Sequence, residues 1–173
     1  MISNSVLMLL RLIHIVVGMF WVGGAVFIAW FLVPAIRGAG PAGGAVIGQL
    51  QERKMSMYIM FFAIFTILSG LGLYWNDSAG FGSAWRNSGP GRTFGLGAAF
   101  AIVTMILGMT VNSPTAKKLG ELGASMKAAG GPPNAEQQAE MLRLQMRLGK
   151  AGFAAAVLLT CAAAAMSVAR YVP

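Results

Sequence analysis

Four long apolar stretches, parted by turn-rich or basic segments, run through the 173-residue chain. They lie at about 6–34, 57–75, 93–111 and 151–169. A helix crossing a bilayer needs about 20 predominantly apolar residues, and each stretch meets or approaches that length. The first is interrupted only by Arg11 and His14, and Arg11 stands close enough to an interface to snorkel. The intervening segments break helices. Residues 38–48 are rich in Gly and Ala, and residues 76–92 carry Asn76, Asp77, Gly80, Gly82 and Gly89–Pro90–Gly91. Residues 112–150 contain the breaker Gly130–Gly131–Pro132–Pro133. The pattern predicts an all-α integral membrane protein: one domain, four transmembrane helices in an antiparallel bundle, and long loops at 35–56 and 112–150. The first stretch is too long for the apolar core of a cleavable signal and no basic residue precedes it, so it reads as a retained span.

Inside the last loop, Ala135–Leu148 reads as a helix with Asn134 as its N-cap. Leu142, Leu144, Met146 and Leu148 alternate with polar residues, a strand period that competes with this reading. As a helix, the segment either rests on an anionic leaflet or extends the fourth span. No strong breaker separates Leu148 from Ala151, which favours the extension. The halves of the chain are alike in outline. Spans one and three each end near a proline, Pro34 and Pro114, followed by a basic segment, a polar helical stretch and the next span. That outline hints at a duplicated helical hairpin.

Charge gives the topology. Only 10% of residues are charged and 57% are hydrophobic, against about 25% charged in soluble domains. The net charge of +8 therefore calls for a membrane explanation before a nucleic-acid one. Nine basic residues fall in the two long loops: Arg37, Arg53, Lys54, Lys117, Lys118, Lys127, Arg143, Arg147 and Lys150. The other face holds Arg11, Arg86, Arg92 and Arg170. Basic loops stay cytoplasmic, so both termini are expected on the periplasmic side of an inner membrane. Trp75, Trp85 and Tyr171 fall at that boundary, where interfacial aromatics gather.

Small residues recur in every span, among them Gly18, Gly70, Gly97 and Ala162–Ala165. In lipid they let backbones approach closely, within this chain or against other subunits. The lipid bilayer, further membrane subunits and self-association are the partners this composition suggests, with no nucleic acid.

The chemistry centres on His14. An ionisable group within a span is costly and often functional, and a neutral imidazole ligates haem iron or copper. Arg11 shares its helix face and would suit an anionic group beside a bound cofactor. An interfacial histidine bonded to a carbonyl, a lipid head group or water is the plainer alternative. Counted in depth from the outer ends, Met166 and Cys161 on the fourth span are the candidate second metal ligands for His14, and Met105 on the third lies deeper. With one histidine, bis-histidine haem within a single chain is excluded. Met55, Met57 and Met60 read as packing residues. No acidic residue lies in a span, and there is no nucleophile–base pair or phosphate-binding loop. Hydrolase, kinase and ATP-driven pump readings are thereby disfavoured.

Several of these residues carry a family resemblance. Leu12–Ile13–His14, Gly18, Trp21, Gly23, Gly24, Phe27, Pro34 and Arg37 resemble the first helix of the CopD-like superfamily, in particular its small four-helix bacterial members. Gly70–Leu71–Gly72–Leu73 is similar to the family's second helix and Arg143–Tyr171 to its last. The resemblance implies membrane copper handling or, through the distant HemJ-type oxidases, haem-linked protoporphyrinogen oxidation. Those oxidases use a first-helix histidine, which His14 matches, and a third-helix lysine. The third span here has no lysine, and Arg92 at its start is the nearest basic residue. The expected roles are thus a structural or accessory subunit of a larger bacterial membrane complex, which needs no special chemistry; a haem b- or copper-binding membrane protein using His14; and a HemJ-like oxidoreductase. An enzyme is the less favoured outcome.

Overall fold

The computed structural model describes residues 2–39 and 41–173. The chain is 89% helical, with no strand among the described residues. Helix α1 (Asn4–Phe27) passes through a π-helical turn (Ile28–Leu32) into α2 (Val33–Gly38). Helix α3 (Pro41–Glu52) leads to α4 (Met55–Asp77), and a single turn, α5 (Ser83–Arg86), to α6 (Gly89–Leu107). A second π-helical turn (Gly108–Asn112) joins α6 to α7 (Ser113–Ala129). Helix α8 (Ala135–Val168) and a final 3₁₀ turn complete the chain. Four continuous runs are long and apolar enough to cross a membrane: Asn4–Gly38, Met55–Asp77, Gly89–Met126 and Ala135–Tyr171.

Two of these runs, Gly89–Met126 and Ala135–Tyr171, are far longer than the apolar stretches inside them. The segments expected as loops at 35–56 and 112–150 are mostly helical. Hydropathy marks where a helix is apolar, and helix formers such as Ala, Glu, Lys and Leu carry it onward as a polar helix. The Ala135–Leu148 segment continues without a break into the fourth span, as the lack of a breaker suggested. Asn134 caps it in a reciprocal box: Gln137 N–H donates to Asn134 Oδ1 at 2.8 Å, and Asn134 N–H to Gln137 Oε1 at 3.0 Å.

The two π turns share a cause. Proline has no N–H, and its ring collides with the carbonyl four residues back. An extra residue in the preceding turn relieves that collision while the helix continues. Pro34 and Pro114 each stand two residues past such a turn. The outline shared by the two halves thus extends to backbone geometry.

Helix α1 packs chiefly on α4 and α6 on α8, while α1–α8 and α4–α6 contacts close the ring. Glycines set the approach. Gly72 lies against Leu10, Gly70 against the His14 ring, Gly18 against Thr66, and Gly97 against Met166 and the Ala162 carbonyl. One buried cluster, Trp21, Ala63, Ala101 and Leu159, sits midway along the bundle. A second, Ile36, Ile47, Leu119 and Leu144, joins α2, α3, α7 and α8 at the distal end. The opposite, terminal end brings Gly89 against Pro173 and Asp77 near Arg170. Large apolar side chains cover the outside: Met8 is 70% exposed, Met19 68% and Leu68 60%.

At the distal end Arg37 ties the two hairpins together. Its Nη2 donates to the Gln145 carbonyl at 2.9 Å, and its guanidinium occupies the space that a Cβ at Gly149 would take. Gly149→Ala should evict it and lower stability by about 1–3 kcal/mol. In the Arg37→Ala background the same change should cost little, a coupling readable in a double-mutant cycle of detergent melts.

Candidate functional site

The bundle holds a partly open cavity of about 910 Å³ at its terminal end, within the range of small-molecule and cofactor pockets. Its walls come from all four long helices. Trp21, Ala101, Leu159 and Ala162 border it toward the middle of the bundle. Aromatic residues line it on the α4–α5–α6 side. Trp85 meets Tyr74 edge-on with centroids 5.0 Å apart and stacks on Phe94 at 6.4 Å, and Tyr74 Oη donates to the Gly91 carbonyl at 3.3 Å. Charged residues are few: Arg11, Asp77 and Arg170, with Arg170 Nη2 3.8 Å from Asp77 Oδ2.

His14 stands in this wall. Its Nδ1 lies 2.8 Å from the Thr66 carbonyl oxygen. A carbonyl only accepts, so Nδ1 carries the proton of that bond and, in the neutral ring, Nε2 keeps its lone pair. The same carbonyl accepts the Ser69 hydroxyl at 3.1 Å, which also donates to the Phe65 carbonyl at 2.6 Å. Sequence explains the arrangement. Gly70 has no side chain, and a Cβ there would stand 2.7 Å from His14 Cε1 and 3.0 Å from Nδ1. The imidazole therefore sits directly against the α4 backbone. Nε2 has no hydrogen-bond partner among the described residues, yet it is not among the sealed, unpartnered atoms. His14 itself is among the residues that line the cavity. A histidine held through one nitrogen by a backbone carbonyl, with the other nitrogen free, has the orientation and tautomer of a metal ligand.

Of the candidate site residues, His14, Arg11 and Met166 line this one cavity. Met166 packs over Gly97. Cys161 is exposed and does not line it. Met105 packs against the mid-bundle cluster and borders a smaller cavity beyond it, with Met55 and Met60, while Met57 is exposed. Among the described residues no three His, Cys, Asp or Glu side chains gather as a metal cluster. Sequence reasoning passed over Thr66 and Ser69, which orient the histidine. Their signal was available: two hydroxyl residues three apart in an otherwise apolar span, beside a glycine.

Comparison with known proteins returns no match: no family model, no curated protein and no solved structure corresponds to this chain.

Proposed function

We propose that this chain is a multi-pass protein of the bacterial inner membrane that binds haem b, which His14 would hold through Nε2. The membrane part rests on the four long apolar helices and on their exposed apolar exterior, which is costly in water at about 25 cal/mol per Å² and at home in lipid. The antiparallel arrangement rests on register: Leu10, His14 and Gly18 meet Gly72, Gly70 and Thr66, so numbers rise on α1 as they fall on α4. The excess of basic residues at the distal end supports a cytoplasmic position for that end, with the His14 cavity toward the periplasmic side.

The carrying observation is the His14–Thr66 carbonyl bond beneath a free Nε2 in a large, mostly apolar cavity. The lining suits the macrocycle: aromatic and small residues form its walls, Arg11 and Arg170 could pair with the propionates, and the Met166 thioether could help hold the iron. Copper(I) could use His14 and Met166 as well, but the volume and apolar walls favour a flat organic cofactor. Haem would bring one-electron redox chemistry. The chain's own contribution is to orient the imidazole, exclude water from the ring face and neutralise the acidic edge. Service as an accessory subunit of a larger membrane assembly accords with this reading.

The test is the visible spectrum of the protein purified in mild detergent from its native membrane. A Soret band is expected, lost in His14→Ala and displaced in Met166→Leu. Absence of a chromophore even after haem is added would overturn the proposal. Protoporphyrinogen oxidation that disappears in His14→Ala would extend it to an enzyme.

A further inference from the structure

A second, smaller cavity of about 160 Å³ lies on the distal side of the mid-bundle cluster. Its lining begins at Trp21 and Leu159 and reaches Arg37 and Gln145. Trp21 and Arg37 stand sixteen residues apart on one continuous helical run, roughly 24 Å at 1.5 Å per residue. So small a volume over that length is slender, the shape of an alkyl chain and not of a compact ring. Most of the wall is apolar, and a cavity with such walls stays dry and takes an apolar guest. Two glycines keep it open. Gln145, Leu148, Gly152, Ala155 and Leu159 recur at steps of three and four residues, so they form one stripe of α8 turned toward the cavity. Gly152 belongs to that inward stripe, yet a Cβ there would meet nothing within 4 Å. The same holds for Gly108, which lines the cavity at the π turn after α6. At Gly70 and Gly97 a Cβ would collide with a neighbour; at Gly108 and Gly152 the missing side chain leaves room.

The distal end of this cavity is polar, with Arg37, Gln51, Ser56 and Gln145. Arg37 is exposed and forms no ion pair among the described residues. It donates one hydrogen bond, to the Gln145 carbonyl at 2.9 Å, whereas a guanidinium carries five N–H donors in a fork that matches phosphate oxygens. The segments 35–56 and 112–150 hold nine basic residues against Glu52, Glu121, Glu136 and Glu140. Of these, Glu121 and Glu140 are already paired with Lys117 and Arg143. We propose that the cavity takes one acyl chain of an anionic phospholipid, with the phosphate on Arg37 and the chain running toward Trp21. That polarity is the one a lipid has in the leaflet at the distal end, head group at the helix ends and chain toward the mid-plane. Basic pockets between membrane helices hold anionic head groups by the same charge complementarity. The site needs no cofactor in the larger cavity, but it rests on the reading that the four long helices cross a bilayer.

Trp21 supplies the reporter. It is 4% exposed, so the surrounding lipid is kept from it, and a chain in the cavity would reach it. The protein with Trp30→Phe, Trp75→Phe and Trp85→Phe retains Trp21 as its sole tryptophan. It is reconstituted in phosphatidylcholine vesicles with the same small fraction of either phosphatidylglycerol or phosphatidylcholine brominated beyond mid-chain. Trp21 should lose most of its emission with the brominated phosphatidylglycerol and little with the brominated phosphatidylcholine. A cofactor in the larger cavity would dim Trp21 alike in both, so the comparison stands. Gly152→Leu, which fills the cavity from its α8 wall, should abolish the quenching. Arg37→Gln should raise the phosphatidylglycerol needed for half-quenching at least about tenfold. No quenching by either lipid would overturn the bound chain, and equal quenching by both would overturn its anionic head group. Selective quenching that survives Gly152→Leu would place the lipid outside this cavity. Should Arg37→Gln fail to fold, the comparison of the two lipids and Gly152→Leu still decide. Release of the parent protein from membranes by alkaline carbonate would instead sink the membrane reading itself.

Discussion

Gly70→Val is expected to abolish the His14-bound chromophore as completely as His14→Ala does, without touching a ligand atom. The histidine ring is held between two constraints. On one edge its Nδ1 is fixed to the Thr66 carbonyl at 2.8 Å. Behind it lies the α4 backbone at Gly70, where even a single Cβ would come within 2.7 Å of Cε1. Real Cβ contacts are not that short, and the other atoms involved belong to a helix backbone. The ring must therefore move, and valine, with two further methyl groups, forces a larger move than alanine. Moving the ring breaks the Nδ1–carbonyl bond, worth about 0.5–1.5 kcal/mol net, and turns Nε2 away from its present direction. Partners that orient a ligating histidine typically matter by 10–100-fold in affinity, and here orientation and position are lost together. Gly24 gives the control, since a Cβ there meets nothing within 4 Å and the residue does not line the cavity. Gly24→Ala should leave the spectrum unchanged. The measurement is absorbance per mole of monodisperse protein, with the melting curve recorded alongside. A Gly70→Val protein that folds and keeps an unshifted Soret band would show that His14 is not the ligand.

Much of the fold could be read from the sequence because apolar runs and glycine-proline breakers are one-dimensional signals. The places of the four apolar helices and the Asn134 cap follow from them. The lengths of the helices do not, because a polar helix and a polar loop give the same hydropathy. The site was legible in part for a similar reason. Residue count along a span measures depth, and depth brought His14 and Met166 to the same level. Direction around the helix is a separate coordinate. At about 100° per residue, Met166 and Cys161, five apart, point about 140° from each other, so the two could not serve one site. Met166 lines the cavity and Cys161 does not. That arithmetic was available in the sequence. The contact of the His14 ring with Gly70 was not, because it depends on how α1 and α4 are paired. The size of the cavity also escaped prediction: Gly and Ala at small-residue positions signal close packing, and here they equally line a cavity.

Gly97→Val is expected to produce the largest loss of stability of any single substitution considered. The pairing of α6 with α8 is among the closest in the bundle. A Cβ on Gly97 would stand 2.8 Å from Met166 Cγ and 3.2 Å from the Ala162 carbonyl oxygen. The methionine can turn aside at modest cost, since its side chain is unbranched and adaptable. The carbonyl cannot, because it is part of the α8 backbone. Valine adds two more methyl groups, and only separation of the helices makes room for them. That separation also loosens Ala101 and Ala162, buried at 8% and 4% exposure. Overpacking costs about 1–3 kcal/mol where side chains can adjust, and a backbone obstacle puts this change at the upper end or beyond. A folded protein has on the order of 5–15 kcal/mol in hand, so a sharply lower melting temperature and a poor monodisperse yield in detergent are expected. Gly97→Ala should fall between the two. Gly152, where a Cβ meets nothing within 4 Å, should accept alanine with no loss. If Gly97→Val melts with the parent protein, α6 and α8 do not approach through this glycine. The separation would also move Met166 away from the His14 cavity, so a cofactor bound there should lose its thioether contact before it loses the histidine.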